Sequence, residues 1–288
     1  MYRGLYLFFV LLMTWACSKE PLNTEGMVHI PAGEFIMGTD DGFPYEGPTH
    51  PVRLDSFWMD ETEVTNEQFA KFVEETSYLT TAEQIGDAGV FSPEQERWTL
   101  VKAADWRHPE GRTSSMDQRL DQPVVHVSWS DAVAYCTWAG KRLPTEAEFE
   151  YAARGGKEGT IYPWGDEFTP GGKHQANTWQ GEFPRQEHAA DGFPGVAPVK
   201  SYQPNGYGLY DIAGNVWEWV NDWYDPNYYR GSPVRNPPGP LEGREKVQRG
   251  GSWLCSSNYC MGYRVASRMM TEPDSGLNNL GFRCVGDE

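Results

Sequence analysis

Basic residues are scarce in this chain: 24 Lys and Arg stand against 41 Asp and Glu, for a net charge of −17. That deficit excludes the electrostatic footprint of a nucleic-acid binder and charge-driven docking on anionic lipid, and it favours a basic ligand or peptide. A long apolar run is missing too. The run from Leu5 to Ala16 falls short of the roughly 20 residues that a transmembrane helix needs. None of His29, His50, His108, His126, His174 and His188 has a partner at i, i+4, so a helical zinc-protease site is not encoded. The Gly-rich stretch from Asn205 to Asp211 lacks a P-loop lysine and the full dinucleotide spacing, which excludes a phosphate cradle there. No repeat of fixed period recurs. Cysteine is sparse, at five in 288 residues, yet Cys255 and Cys260 share one Gly-bounded loop.

What is present begins with an address. Arg3 supplies a positive n-region, Leu5 to Ala16 an apolar h-region, and Cys17 follows small Ala16 directly. The run Thr14-Trp15-Ala16-Cys17 resembles a bacterial lipoprotein cleavage box. Residues 1–16 are therefore expected to be an export signal and residues 17–26 a short tether with a lipid on Cys17. An ordinary cleaved secretory signal is the alternative, and both place the mature chain outside the cytoplasm. Membrane contact is then expected only through the anchor, in the bacterial cell envelope.

Residues 27–288 suit one large domain with no linker-like break. Aromatic content of 14% with 31 Gly and 21 Pro implies many short elements joined by ordered loops, an α+β fold pinned by aromatic side chains. Three helices are marked by capping boxes, at Thr65–Gln68, Ser128–Asp131 and Thr145–Glu148, the second ending at Gly140 and the third at Gly155. Strands are expected at Met27–Ile30, Glu34–Met37, Val52–Met59 and Pro123–Val127, and the Pro-rich 232–240 reads as a surface loop.

On an unbroken strand, Cys255 and Cys260 would point to opposite faces, and on a helix they would stand about 140° apart. Only an irregular loop lets both sulfurs meet one target, whether a structural staple, a metal or a redox partner. With Cys17 lipidated, Cys136, Cys255, Cys260 and Cys284 remain, and spacing alone does not choose among their three pairings. The loops Asn177–Phe193 and Asp211–Glu218 combine carboxylates with Asn and Gly, the hard oxygen donors that calcium prefers; solvated turns are the plainer reading.

Several stretches together carry a resemblance: Met27-Val-His-Ile-Pro-Ala-Gly33 and its continuation to Gly38, Asp105-Trp-Arg-His-Pro-Glu-Gly111, residues 126–136, and Lys141-Arg-Leu-Pro-Thr-Glu-Ala-Glu148. Gly214-Asn-Val-Trp-Glu-Trp219, Arg249-Gly-Gly-Ser-Trp253 and Asn279-Leu-Gly-Phe-Arg-Cys284 complete the set in order. The chain resembles the formylglycine-generating enzymes, or sulfatase-modifying factors, over nearly everything after the signal. The implied fold is the loop-rich α+β fold of that family, related to C-type lectins, with little regular secondary structure. Non-enzymatic proteins and iron-dependent sulfur-transfer enzymes share the broader fold. Cys255 and Cys260 match the catalytic branch, in which two thiolates hold Cu(I) and leave room for a client cysteine.

The resemblance implies a monomeric oxidase that uses O2 to convert a cysteine in a Cys-X-Pro-X-Arg segment of an exported sulfatase to formylglycine. A non-enzymatic lipoprotein of the same fold, in an envelope or surface assembly, is the alternative. Catalytic roles fall to Cys255, Cys260 and Ser252, and cleft positions to Trp217, Tyr259, Arg268 and Asn279. Ser256 stands where some relatives have His. Calcium is implied at Asn177, Thr178, Asp191 and Phe193, and again at Asp211, Gly214, Val216 and Glu218. Cys136 and Cys284 match a structural disulfide, while Ala153 and Val265 replace both ends of a second. Asp87 and Asp105 are candidates for the partner of the client arginine.

Overall fold

The structure, a computed structural model, describes residues 22–288. The export signal and Cys17 lie outside the described residues. In chain order the elements are β1 (Met27–Ile30), β2 (Gly33–Met37), β3 (His50–Leu54), β4 (Phe57–Asp60), α1 (Asn66–Thr76), α2 (Thr81–Ile85), β5 (Asp87–Ser92) and β6 (Arg97–Lys102). There follow α3 (Trp129–Trp138), α4 (Glu146–Arg154), β7 (Trp217–Trp223), β8 (Lys246–Arg249), β9 (Met269–Thr271), β10 (Leu280–Gly281) and β11 (Val285–Asp287). The regular elements are short and long loops separate them, as an α+β, loop-rich fold requires.

Each helix starts where a side chain can satisfy an orphan amide. Thr65, Thr80, Ser128 and Thr145 each accept from the backbone N–H three residues on, and a Gln, Glu or Asp at that position reaches back. The Thr80 cap starts α2, a five-residue helix that was not expected because its apolar pattern is too short to register. Helix α4 stops at Gly155, whose φ of 57° is open to glycine at little cost.

Two strand expectations are corrected. Val52–Met59 is two strands, β3 and β4, that join different sheets on either side of Asp55 and Ser56. Pro123–Val127 is buried but irregular: His126 has a φ of +58°, which breaks the alternation, and the segment keeps single bonds from Val124 N to Val64 O and His126 N to Leu277 O. A β5–β6 hairpin, paired from Asp87↔Lys102 to Ser92↔Arg97, was also missed.

Strand β4 lies between β1 and β11, antiparallel to both. The sheet that matters for function has the order β10–β7–β8–β9, with β7 antiparallel to β8 and parallel to β10. One core gathers Phe69, Tyr135, Phe282, Trp106, Trp217 and Trp219 between α1, α3 and this sheet; a second packs α4 against β1, β3 and β4. A disulfide joins Cys136 on α3 to Cys284, just before β11, across 148 residues of sequence. Leu22 packs against Gly286, so part of the expected tether is seated on the domain.

Candidate functional site

Alternation along the β7–β8–β9 sheet sorts its residues by role. Register pairs Trp219 with Gln248 and Gln248 with Met269, and one position on it pairs Glu218 with Arg249. Side chains of adjacent residues point to opposite faces. Trp217, Gln248 and Met269 therefore face a cleft and Trp219 packs into the core, while Glu218 and Arg249 face a buried ionic interior. The cleft encloses about 160 Å³ and is lined by Trp217, Gln248, Ser252, Tyr259, Cys260, Met269 and Asn279, with Trp98 and Leu277 beside them.

The cysteine loop rises from the end of β8. Gly250 and Gly251 have φ of +89° and +79°, which turn the chain sharply away from the strand. Gly251 then meets Gly262 at a neck: a Cβ on Gly251 would lie 2.6 Å from the Gly262 carbonyl carbon. A Cβ on Gly262 would strike the Trp217 ring. Within the loop, Cys255 N donates to Ser252 O at 2.8 Å and Ser252 N points at Cys255 Sγ at 3.4 Å. Ser252 Oγ accepts from Asn279 Nδ2 at 2.9 Å and from Leu254 N at 3.3 Å. Cys255 is fully buried, and Cys260 is partly open on the cleft side.

The structure joins Cys255 to Cys260 in a disulfide. The two sulfurs thus meet at one point, as an irregular loop allows, and the observed state is the oxidised form; a metal-holding state requires both as thiolates. Among the described residues, no three His, Cys, Asp or Glu side chains converge at ligand distance, so no third protein ligand crowds the pair. A two-sulfur, low-coordinate site suits a soft monovalent cation such as Cu(I). Tyr259 is 45% exposed and stacks on Phe183 at 4.1 Å between centroids. Ser256 is buried and donates to Asn258 Oδ1 at 2.6 Å.

Arg268 is not in the cleft. Its neighbour Met269 faces the cleft, so alternation turns Arg268 inward, where it is fully buried. It donates to Glu146 Oε1 and Oε2 at 2.7 and 2.6 Å and lies 4.4 Å from the Tyr229 ring centre. Glu146 also accepts from Arg249 at 3.1 Å, and Arg249 reaches Glu150 at 2.6 Å. Burial and the nearby Glu146 push the Asp222 carboxyl up to about 8, well above the usual carboxylate range. Asp105 is committed to its own turn, accepting from Arg107 N at 2.8 Å and His108 N at 2.9 Å. Neither Asp105 nor Asp87 lines the cleft.

Two oxygen-rich loops flank the sheet. In the first, Asp191 accepts from Thr178 N at 2.9 Å and Phe193 N at 3.0 Å, while Gln180 Nε2 donates to Asp191 Oδ2 at 2.6 Å and to the Thr178 carbonyl. Asn177 Oδ1 is buried without a partner. The second holds Asp211 and Glu218, and the sequence reasoning missed its third carboxylate, Glu63. Glu218 accepts two hydrogen bonds from the Arg283 guanidinium, at 2.7 and 2.8 Å. Glu63 Oε2 has no hydrogen bond and stands 3.8 Å from the same guanidinium. Two buried acids thus share one arginine, and the third, Asp211, accepts from Lys200 N at 2.6 Å. Burial raises all three: Glu63 is raised further by Asp211 and Glu218, and Asp211 reaches about 6. Nothing in the spacing of residue 63 relative to 211 and 218 announces this meeting.

A roomier cavity of about 440 Å³ lies behind the β5–β6 hairpin, walled by Phe91, Trp106, Trp253 and several prolines, and it holds no cysteine.

Comparison with known proteins agrees with this geometry. The family model described as "Sulfatase-modifying factor enzyme 1-like domain" matches residues 15–288. A formylglycine-generating enzyme of Streptomyces coelicolor is 52% identical over 94% of this chain and 92% of its own length. One from Mus musculus is 50% identical over 94% of this chain and 77% of its own. Among solved structures, PvdO from Pseudomonas aeruginosa superposes with a TM-score of 0.70 at 28% identity, covering 91% of this chain and 94% of its own. The chain therefore belongs to the sulfatase-modifying factor family, in which the Streptomyces coelicolor and Mus musculus relatives are formylglycine-generating enzymes.

Proposed function

We propose that this protein oxidises a cysteine of an exported, sulfatase-type client to formylglycine, using O2 and a Cu(I) ion held by reduced Cys255 and Cys260. The carrying observation is that the two sulfurs meet at the edge of a cleft whose floor is otherwise apolar and amide-lined. Bound Cu(I) supplies a soft anchor for the client thiolate and the one-electron steps that O2 demands. Converting CH2–SH to CHO with loss of sulfide is a two-electron oxidation, whereas reducing O2 to water takes four. An external thiol must supply the other two.

The chain's own groups bind and orient. Trp217 and Tyr259 wall the cleft against water, and the Asn279–Ser252 hydrogen bond fixes a hydroxyl beside the cysteines. A client with a Cys-X-Pro-X-Arg segment suits a chain of net charge −17. Calcium belongs to the same reading. The unpartnered Asn177 Oδ1 and the excess of buried carboxylate at Glu63, Asp211 and Glu218 are features that a hard dication satisfies. Asn177, Thr178, Asp191 and Phe193 would hold one ion; Asp211, Gly214, Val216 and Glu218, with Glu63, the other. Export as a monomer anchored through Cys17 completes the proposal.

The test is turnover. Reduced, copper-loaded protein with a Cys-X-Pro-X-Arg peptide, thiol and air should yield an aldehyde seen by mass spectrometry. No aldehyde from protein shown to carry one copper per chain refutes the oxidase reading and favours a lipid-anchored binding protein on the same fold.

A further inference from the structure

Gln248 is out of place as a structural residue. It sits on β8, at the centre of the sheet, between Trp219 and Met269. Only 2% of it is exposed, yet its Nε2 has no hydrogen-bond partner. A buried amide left unpaired is destabilising, and an apolar side chain would fill the same place without that penalty. The side chain lines the cleft, where Asn279, spent through Nδ2 on Ser252, keeps a buried Oδ1 without a partner. The cleft wall thus offers one unused donor and one unused acceptor on the same side as Cys260.

We propose that Gln248 is a client-binding residue: its Nε2 donates to a main-chain carbonyl of the client beside the reacting cysteine, with Asn279 Oδ1 taking a main-chain N–H. A peptide bond presents this donor–acceptor combination whatever its side chains, so the pair holds the client's backbone and leaves sequence choice to the rest of the cleft. The Met269 and Trp217 side chains beside Gln248 exclude water, which makes a missing hydrogen bond there expensive. The inference rests on the proposed oxidase reading for the client's identity, but not for the contact itself.

The experiment separates the two. Binding of a client peptide with Ser in place of the reacting Cys is measured by calorimetry for the wild type and Gln248→Met, in parallel with turnover of the Cys peptide. The methionine variant should bind roughly 5- to 10-fold more weakly, about one net hydrogen bond, and show the same rise in KM with kcat changed less than about twofold. Its melting temperature should stay level or rise, because the unpaired amide is gone. An ester in place of the amide next to the cysteine removes the N–H that Asn279 takes and weakens the carbonyl that Gln248 takes, so it should cost the wild type more affinity than the variant, which keeps only the Asn279 contact. Equal binding of the two proteins, or the same ester penalty in both, overturns the proposal, as does a lower melting temperature with unchanged affinity. If the wild type binds the Ser peptide through Gln248 but never oxidises the Cys peptide, the oxidase reading falls and the contact stands.

Discussion

Replacing Cys136 and Cys284 together by alanine removes the long covalent closure of this fold. The bridge closes 148 residues of sequence. In the chain-entropy model that loop takes about 17 cal/mol/K from the unfolded chain, or about 5 kcal/mol at 25 °C. Both side chains are fully buried in the cluster of Phe69, Tyr135 and Phe282, so loss of the sulfurs adds roughly 1 to 2 kcal/mol of packing. At about 2 °C per kcal/mol for a domain of this size, the melting temperature should fall by roughly 12 to 14 °C. Thermal unfolding followed by near-ultraviolet circular dichroism, in calcium-containing buffer, reads the change. Cuprous-ion titration should give wild-type stoichiometry, because Cys255 and Cys260 remain. A drop below about 3 °C would refute the loop-entropy reasoning. A non-reducing peptide map that joins Cys136 to Cys255 or Cys260 would refute the pairing itself.

Cys255→Ser and Cys260→Ser should each lose most cuprous affinity and nearly all turnover, while Ser252→Ala keeps the metal and slows oxidation on the order of 10- to 100-fold; copper titration and oxygen-controlled kinetics distinguish the two. Asp211 is raised to about 6 in the calcium-free fold, so its protonated form favours the native state. The contribution of Asp211 to calcium-free stability should therefore be fully present below about pH 4 and be lost as pH rises through about 6. Added calcium should restore it at pH 7 and much less at pH 5, whereas magnesium should not; identical melting curves with and without chelator at pH 7 refute the site. Glu146→Gln leaves Arg249 and Arg268 with too little negative charge in a fully buried setting. A loss of roughly 3–5 kcal/mol in urea unfolding is expected, with client KM unchanged in the folded fraction, because these groups lie on the far face of the sheet.

The helices were legible because capping is local: a hydroxyl and an acid or amide three residues apart are visible wherever they occur, as at Thr65, Ser128 and Thr145. The two-cysteine loop was legible for the same reason, since Gly250, Gly251 and both cysteines are neighbours in sequence. What failed was non-local. Arg268 was placed in the cleft because sequence does not show which face of β9 its neighbour Met269 occupies; one step of alternation sends the guanidinium to Glu146 instead. Glu63 and Gln248 were invisible on different grounds. Glu63 comes under the influence of Asp211 and Glu218 from far along the chain, and Gln248 looks like any strand residue until its lack of a partner is seen. The single strand expected from Val52 to Met59 failed because periodicity does not reveal a change of sheet.

The touching backbones of Gly251 and Gly262 fasten the cysteine loop at its base, independently of the bond between its sulfurs. Opening that bond therefore frees only the short arch from Ser256 to Tyr259, whose chain entropy is small, and the hydrogen bonds of Ser252 to Leu254 and Asn279 remain in place. The pair can gain and lose electrons repeatedly with the scaffold as spectator. A reductant that opens the bond then acts on the two sulfurs alone, and the fold around them need not be remade.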